Sequence, residues 1–284
     1  MKLALATSAE HHDLIEDDQP LRKSLTERGA DVTAAVWDDE GVDWSSFDLV
    51  VIRSTWDYWH RLDEFTAWVD RVGGLTRLEN PPNVVKWNAH KGYLDELQAR
   101  GVPVVPTETL ARGSSHELGA VLRRRGWGEA VVKPAVSAGS QGTVRLRLRE
   151  AAEHQAHLDG LLAQGDVLVQ PFVESVTQGG ERSLVFFDGR YSHALRKQAA
   201  EGDFRVQPQF GGVITPDQPP QRVKDLARSI LEAAEVEPLY ARVDLVRIGE
   251  RWKLIELELI EPLLYFHTDA KSVHRFVDAI LRRA

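Results

Sequence analysis

The stretch Asp48-Leu49-Val50-Val51-Ile52, followed at once by Arg53-Ser54-Thr55-Trp56-Asp57-Tyr58, decides the fold class of the first third of the chain. After Asp48, its first half is a continuous apolar run of strand length, and its second half is mostly polar and aromatic. In parallel α/β sheets, ligand-facing residues lie just past the carboxyl ends of strands. The stretch therefore predicts a buried strand that delivers polar side chains to a ligand site.

The segments around this stretch alternate between strand-like and helical periodicity. Strands are predicted at Lys2–Ala6 and Asp31–Trp37, and amphipathic helices at Asp18–Arg28 and Asp63–Val72. Gly73-Gly74 is expected to end the second helix, because glycine is common just past helix ends. This order of strand, helix and strand predicts a parallel, doubly wound α/β lobe.

The overall composition limits the kinds of function. The 284 residues carry a formal net charge of −8, which disfavours general nucleic-acid binding, since phosphate backbones attract basic surfaces. There is no cysteine, so disulfides and zinc–thiolate sites are excluded. No apolar run has the ~18–20 residues of a membrane span, and Met1–Ala6 is too short for a secretory signal. We expect a cytoplasmic enzyme with no membrane partner.

The turn cluster Asn80-Pro81-Pro82-Asn83 marks the first expected domain boundary. Beyond it a helix is predicted at Asn88–Arg100, and two hairpin turns are predicted at Asp188-Gly189 and Gly249-Glu250. Further strands are predicted at Glu129–Lys133, Thr143–Arg149, Asp166–Phe172, Ser183–Phe187, Arg190–Lys197, Tyr240–Ile248 and Trp252–Ile260, with helices at Glu150–Leu162 and Pro220–Ala234.

A lysine at a strand end is the first candidate for phosphate chemistry. Val131-Val132-Lys133-Pro134 leads into the small-residue segment Ala135–Thr143. Such a loop can bring an ammonium group and several backbone N–H groups close to phosphate oxygens. The alternative is an ordinary hairpin with an exposed lysine, and the local pattern alone leaves both open.

Three carboxylates form a candidate metal site. Glu256 and Glu258 point to the same face of one strand, and pairing through the Gly249-Glu250 turn would bring Asp244 beside them. The strand is otherwise apolar, so buried carboxylates there would need a cation, and all-oxygen ligation suits Mg²⁺. The alternative is simple alternation, with both glutamates on a solvated face.

Read in order, these pieces resemble the ATP-grasp superfamily, in the branch of bacterial glutathione synthetase and RimK-type ligases. The match covers most of the chain and runs from Asn88-Ala89-His90-Lys91 through Val132-Lys133-Pro134 and Leu168–Glu174 to Gly180-Glu181-Arg182 and the acidic strands. The resemblance implies an N-terminal parallel α/β lobe at residues 1–85. Two further lobes, at residues 86–172 and 173–284, would clamp ATP between them.

The resemblance also implies which residues bind the nucleotide. Lys91 corresponds to the first ATP lysine and Lys133 to the second, and Ser140 lies in the loop that covers the phosphates. Adenine and ribose would be held at the interlobe hinge by Gln170, Phe172, Val173 and Glu181.

Metal ligands and catalytic residues follow from the same resemblance. Asp244, Glu256 and Glu258 correspond to the magnesium ligands, although the family's usual Glu-x-Asn motif has asparagine where this chain has Glu258. Phosphates or the developing oxyanion would be contacted by three arginines, Arg196, Arg205 and Arg242.

Within the superfamily, Ile52–Tyr58 and Leu257–Pro262 look most like a subgroup that includes the antibiotic-forming cyclo-ligase, which closes the D-cycloserine ring from O-ureido-D-serine. This implies an ATP- and Mg²⁺-dependent carboxylate–amine ligase that forms an acyl phosphate of an amino-acid-like substrate. Homodimers are common among such relatives. In the cleft, Arg53 would bind the substrate carboxylate and Asp57 its ammonium, with Ser54 and Thr55 beside them.

Two alternatives stand beside this interpretation. Trp56 and Tyr58 could simply pack the lobe while the neighbouring polar residues cap a helix, and the fold could serve a non-catalytic nucleotide-binding or regulatory module. A dinucleotide-dependent dehydrogenase is excluded, because Thr7–His12 contains none of the glycines that its fingerprint requires.

Overall fold

The N-terminal sheet is parallel, as the sequence predicts. A computed structural model describes residues 1–284. The first elements are β1 (Lys2–Thr7), α1 (Gln19–Glu27), β2 (Asp31–Val36), β3 (Leu49–Ser54), α2 (Leu62–Leu75) and β4 (Arg77–Glu79). The sheet order is β2-β1-β3-β4, so the two most buried strands, β1 and β3, lie at its centre. This order places the end of β3 beside the end of β1.

Helix α2 is longer than predicted, because it continues through Gly73 and Gly74 to Leu75. The reason lies in the next helix, α3 (Pro82–Ala89), which packs closely against it. A Cβ atom on residue 73 would come within 2.4 Å of Pro82 Cγ. Glycine at this position therefore allows a close helix contact and does not end the helix.

The single helix predicted at Asn88–Arg100 is also wrong, because the chain breaks between α3 and α4 (Tyr93–Ala99). His90 has an extended backbone conformation, with φ −112° and ψ 119°. The Lys91 N–H donates to the Ala135 carbonyl at 2.9 Å, instead of to a carbonyl of its own helix. The break carries Lys91 towards the middle sheet.

The middle of the chain forms an antiparallel sheet with helices beside it. Its elements are β5 (Glu108–Leu110), α5 (Leu118–Arg125), β6 (Glu129–Pro134), β7 (Val144–Arg147), α6 (Gln155–Gln164) and β8 (Val167–Pro171). The strand order is β5-β8-β6-β7. Helix α5 was not predicted, and α6 begins later than expected. The turn from β6 to β7 contains the small-residue loop that follows Lys133.

The C-terminal sheet is the largest. Its elements are α7 (Ser175–Gln178), β9 (Glu181–Phe187), β10 (Arg190–Gln198), β11 (Val213–Asp217), α8 (Gln221–Ala233), β12 (Tyr240–Ile248), β13 (Arg251–Glu258) and α9 (Ser272–Arg283). The order is β11-β10-β9-β12-β13. Asp188 and Gly189 both have positive φ in the β9–β10 turn, as the hairpin prediction requires.

The N-terminal and C-terminal sheets share one apolar core. Leu3 and Leu5 of β1 belong to the same buried cluster as Phe187 of β9 and Phe276 of α9. The Phe187 and Phe276 rings stack with their centroids 4.5 Å apart. None of the helices combines the length and the apolar composition that a bilayer crossing requires.

Candidate active site

A cavity of about 900 Å³ is lined by residues from the N-terminal, middle and C-terminal parts of the chain. The N-terminal part contributes Trp56, and the middle part contributes Lys133 and the loop Ser137–Thr143. The C-terminal part contributes Glu256 and Glu258. Residues far apart in the sequence therefore meet in one cleft.

The acidic side chains converge because of strand register. In the antiparallel pair β12–β13, Asp244 lies directly opposite Glu256, and Arg242 lies opposite Glu258. All four side chains share one face, since alternate residues of a strand point the same way. Ligand oxygens of Asp244, Glu256 and Glu258 lie within 4.8 Å of one another. This all-oxygen set fits a hard divalent cation.

Basic partners compensate the buried acidic charges. Arg242 Nη2 and Lys197 Nζ both lie 3.0 Å from Asp244 Oδ2, and the Ser183 hydroxyl donates to Asp244 Oδ1 at 2.6 Å. Burial works against the Asp244 carboxylate, but Arg242 and Lys197 outweigh it and hold the pKa of Asp244 below its usual range. Asp244 is therefore ionised and ready to bind a cation at neutral pH.

Glu258 has a different balance. Arg242 Nη2 also contacts Glu258, yet burial raises the pKa of Glu258 to about 7, with Glu256 and Asp244 adding to the effect. A carboxyl with this pKa binds a proton more readily than an exposed glutamate does. Two opposing effects therefore act on the Glu258 carboxyl: the Arg242 ion pair favours its charged form, and burial favours its protonated form.

Two lysines approach the same acidic group. Lys91 Nζ lies 3.3 Å from Glu256 Oε1 and donates to the Ser137 carbonyl at 2.6 Å. Burial lowers the pKa of Lys133, and Lys91 adds to that effect, while Glu256 opposes it. The two lysines and the three carboxylates therefore share one cleft, as the magnesium–triphosphate hypothesis requires.

The small-residue loop forms one wall of the cavity. Gly139, Ser140 and Gly142 all have positive φ, between 59° and 68°. This backbone conformation is accessible to glycine at little cost and unusual for serine. Ser140 lines the cavity at the centre of the loop. The loop thus presents main chain, with little side-chain bulk, to any ligand in the cleft.

The residues predicted to bind adenine and ribose lie along β8 and in the segment after it. Gln170, Phe172 and Val173 all line the cavity, and the Gln170 amide donates to Thr107 Oγ1 at 2.8 Å. Glu181 also lines it and is ion-paired with Lys197. Burial raises the pKa of Glu181 to about 7, although Lys197 opposes this shift.

Gly180 sets the spacing between Glu181 and Lys197. It has φ +77°, and a Cβ atom there would approach the Lys197 carbonyl oxygen to 2.6 Å. We expect Gly180→Ala to lower the free energy of unfolding by about 1–3 kcal/mol and to weaken ATP binding. Urea unfolding and ATP titration measure the two effects.

Gly189→Ala is the matched control for this prediction. Gly189 has φ +70° in the same hairpin, but nothing lies within 4 Å of a Cβ atom placed on it. The Gly189→Ala variant therefore has the backbone strain of a positive φ, but its Cβ atom contacts nothing. Equal losses in the two variants would contradict the role given to the Gly180 contact.

The three predicted arginines have different placements. Arg242 and Arg205 line the cavity, and Arg205 Nη2 lies 2.7 Å from Asp203 Oδ2. Arg196 does not line it: its side chain is 38% exposed and lies 3.5 Å from Asp217 on the other face of β10. The expectation for Arg196 is corrected, because alternation along the strand turns Lys197 inward instead.

The four predicted substrate residues also lie away from the cavity. Arg53 is completely buried and pairs with Asp18 at 2.9 Å. The Ser54 hydroxyl is hydrogen-bonded to Thr7, and Thr55 is buried without a partner. Asp57 accepts hydrogen bonds from Trp37 Nε1 at 2.9 Å and from Arg61 at 2.8 Å.

The expectation that Arg53, Ser54, Thr55 and Asp57 contact substrate is therefore corrected. Among the polar members of this segment, Arg53, Ser54 and Asp57 make structural contacts within the protein, although Asp57 does not cap the helical turn that follows it, as the structural alternative had supposed. The aromatic members behave in the opposite way, since Trp56, Tyr58 and Trp59 line the cavity together with His11 and Glu261. Their positions after a strand end were the signal that could have found them.

Comparisons with known proteins agree with this arrangement. Residues 3–80 match the family described as D-cycloserine synthetase DcsG, N-terminal domain, and residues 95–262 match the prokaryotic glutathione synthetase ATP-grasp domain. The chain is 37% identical to the cycloserine biosynthesis protein DcsG of Streptomyces lavendulae, over 99% of this chain and 98% of that protein. This chain belongs to the ATP-grasp family.

Solved structures support the same assignment of this ATP-grasp chain. The crystal structure of D-cycloserine synthetase DcsG has a TM-score of 0.90 and 35% identity, covering 100% of this chain and 99% of that one. D-alanine–D-alanine ligase from Bacillus anthracis shares the fold, with a TM-score of 0.74 and 14% identity over 99% and 96% of the two chains. The predicted α/β ATP-grasp fold is confirmed.

Membership of the family also confirms the predicted reaction class. This ATP-grasp chain is an ATP-dependent ligase that joins a carboxylate to an amine by a C–N bond, and enzymes of its family use ATP with a divalent metal ion. The non-catalytic alternative has no support from the cleft, since its basic and acidic side chains are all in place.

Proposed function

We propose that this enzyme activates the carboxylate of an amino-acid-like substrate and closes it on a nitrogen of the same molecule, in a reaction of the D-cycloserine type. The proposal rests on the full-length likeness to DcsG, which includes both its N-terminal and its ATP-grasp parts. The observation that carries it is one cavity in which three groups of side chains meet. They are the lysines Lys91 and Lys133, the acidic cluster around Glu256, and the aromatic residues Trp56, Tyr58 and Trp59 of the N-terminal lobe.

The proposed nucleotide site follows the cleft from end to end. Adenine would lie along the hinge and the ribose beside Glu181, and the phosphates would extend towards Lys91, Lys133 and Ser140. Asp244, Glu256 and Glu258 would hold Mg²⁺, which would neutralise phosphate charge during transfer. The adenine-binding residues of the hinge are Gln170, Phe172 and Val173.

The chemistry would proceed in two steps. A carboxylate oxygen of the substrate attacks the γ-phosphorus of ATP, and the bond between this phosphorus and the β,γ-bridging oxygen breaks. ADP departs, and the substrate becomes an acyl phosphate. The substrate nitrogen then attacks the acyl carbon, phosphate leaves, and the nitrogen loses a proton. When the nitrogen adds to the acyl carbon, the carbonyl oxygen becomes an oxyanion. Arg242, assisted by Arg205, would stabilise this oxyanion until phosphate leaves. The Ser137–Thr143 loop would exclude water, which would otherwise hydrolyse the acyl phosphate.

We also propose which lobe binds the substrate and which lobes bind ATP. Residues 1–85 would form the substrate lobe, and residues 86–172 and 173–284 would be the two lobes that hold ATP. The substrate would be a small amino-acid-like molecule, and neither nucleic acid nor membrane would take part. We propose a cytoplasmic enzyme, because ATP is available there, and a homodimer is the proposed assembly.

Substrate-dependent ADP release tests the proposed function. We expect ADP formation, within the ordinary range of roughly 1 to 10³ per second, only when ATP, Mg²⁺ and O-ureido-D-serine are all present. A coupled ADP assay measures the rate, and mass spectrometry identifies the cyclic product. D-serine without the ureido group serves as the control. Tight ATP binding with no substrate-stimulated ADP release would instead identify a nucleotide-binding module.

A further inference from the structure

Among the carboxyl groups of the cleft that are shielded from solvent, one has no ion-pair partner. Glu256 pairs with Lys91, Glu258 with Arg242, and Glu181 with Lys197. The side chain of Glu261 is half-buried and lines the same cavity, but it makes neither a hydrogen bond nor an ion pair. Burial raises the pKa of Glu261 to about 8, with Glu258 adding to the effect. The Lys91 charge opposes this shift, but Lys91 pairs with Glu256, and no basic side chain pairs with Glu261 itself.

The backbone around Glu261 is nevertheless fixed from several sides. Trp56 Nε1 donates to the Glu261 carbonyl at 3.1 Å, and Arg53 Nη2 donates to the Pro262 carbonyl at 3.0 Å. Arg242 Nη1 donates to the Leu263 carbonyl at 3.0 Å. An unpaired side chain on a firmly held backbone is pre-organised for a partner that comes from outside the protein.

Aromatic rings surround the space in front of this carboxyl group. Trp56, Tyr58 and Trp59 line the cavity together with Glu261. Burial raises the pKa of Tyr58 well above its ordinary value, and the Glu261 carboxylate is the strongest charge that adds to the shift. Aromatic faces attract cations, and a carboxylate among them gives a cation a charged hydrogen-bond acceptor.

We propose that Glu261 binds the positively charged amino group of the substrate and so selects amino acids over other carboxylic acids. This inference rests on the proposed function, since it concerns the substrate of the same site. It assigns to Glu261 the ammonium-binding role that was predicted for Asp57, whose carboxylate accepts hydrogen bonds from Trp37 and Arg61 instead. Glu10 also lines the cavity, but it is exposed, so water solvates its charge.

The test compares two substrates in wild type and Glu261→Gln. The probes are O-ureido-D-serine and 3-(ureidooxy)propanoate, which is the same molecule without its α-amino group. We expect Glu261→Gln to raise KM for O-ureido-D-serine by roughly 10- to 100-fold, the value of a charge-assisted hydrogen bond. The rate with 3-(ureidooxy)propanoate and KM for ATP should stay within about threefold of wild type, a factor below 1 kcal/mol.

The controls separate the inference from the proposed function. Wild type must first release ADP with O-ureido-D-serine; if it does not, the proposed function fails. Glu232→Gln, a change of an exposed residue on α8, should leave every value unchanged. Equal losses with both probes in Glu261→Gln, or a shift in Mg²⁺ dependence, would overturn the inference. So would a loss specific to the amino group that appears in Glu10→Gln but not in Glu261→Gln.

Discussion

Replacing Glu256 by glutamine is expected to abolish metal-dependent ADP formation, with a fall in kcat of at least about 100-fold. Glutamine keeps the size of the side chain but removes the anionic oxygen, and loss even of groups that only orient metal ligands costs 10- to 100-fold. The change also removes the partner of Lys91, 3.3 Å away, and the charge that favours the Lys133 ammonium. Steady-state ADP release against Mg²⁺ concentration measures the effect.

Glu250→Gln is the matched control. Glu250 lies in the turn of the same hairpin, its side chain is 91% exposed, and its partner is the surface residue Arg247. A surface ion pair contributes little, so activity and stability should both be retained. Thermal unfolding should show that Glu256→Gln is folded. Near-normal turnover by a folded Glu256→Gln enzyme would refute the assignment of Glu256 to the metal site.

The convergence of the three carboxylates could be predicted because it depends on local rules. Alternation along β13 fixes that Glu256 and Glu258 share a face, and a short hairpin turn fixes their register against Asp244. Both rules act over a few residues and are visible in the sequence. The same is true of Lys133, whose strand end and following loop were predicted from the local pattern.

The residues after β3 that line the cavity could not be predicted one by one. After β3 ends, the chain turns, and which side chain of the Arg53–Tyr58 segment faces the cleft depends on contacts made by distant residues. Asp18 draws Arg53 inward, and Trp37 with Arg61 draws Asp57 away. Neither contact follows from spacing. The sequence pattern therefore identified a segment that reaches the cavity. The prediction named the polar residues of that segment, whereas its aromatic residues line the cavity.

Arg196 and Lys91 illustrate the same limit in two ways. A shift of one residue along β10 exchanges Arg196 for Lys197, because strand faces alternate. Lys91 reaches the cleft only because the helix breaks at His90 and its N–H bonds to Ala135. That bond joins segments more than forty positions apart, about which a helical pattern carries no information.

The acidic cluster and its basic neighbours balance in formal charge without any ligand. Four acidic side chains, Asp244, Glu256, Glu258 and Glu181, share the site with four basic ones, Lys91, Lys133, Lys197 and Arg242. A buried charge is costly unless it is paired, and this balance favours an ionised Asp244 before nucleotide arrives. A triphosphate entering together with divalent cations would disturb it least. Glu261 lies outside the balance, which is why we assign its partner to the substrate.

Breaking the buried Asp18–Arg53 pair should give the largest loss of stability. Both side chains are fully buried, and Arg53 Cζ lies 5.5 Å from the centre of the Tyr240 ring. Removing one partner of such a pair leaves an uncompensated charge and typically costs about 3–5 kcal/mol. We expect Asp18→Leu to lower the free energy of unfolding by this amount, because arginine cannot lose its proton. Urea unfolding measures it.

Arg53→Met should lower the free energy of unfolding by less than Asp18→Leu does. The Asp18 carboxyl, which loses its partner in this variant, can bind a proton and become neutral. Burial already raises the pKa of Asp18, although Arg53 opposes it, so without Arg53 the pKa would rise further. A group whose pKa is higher in the folded state stabilises the fold below its unfolded pKa of about 3.9 and loses that contribution as pH rises. The stability gap between Arg53→Met and wild type should therefore narrow as pH falls towards 4, while the gap for Asp18→Leu should not. The double variant Asp18→Leu/Arg53→Met should recover most of the loss, and equal, pH-independent losses in the single variants would contradict this account of the pair.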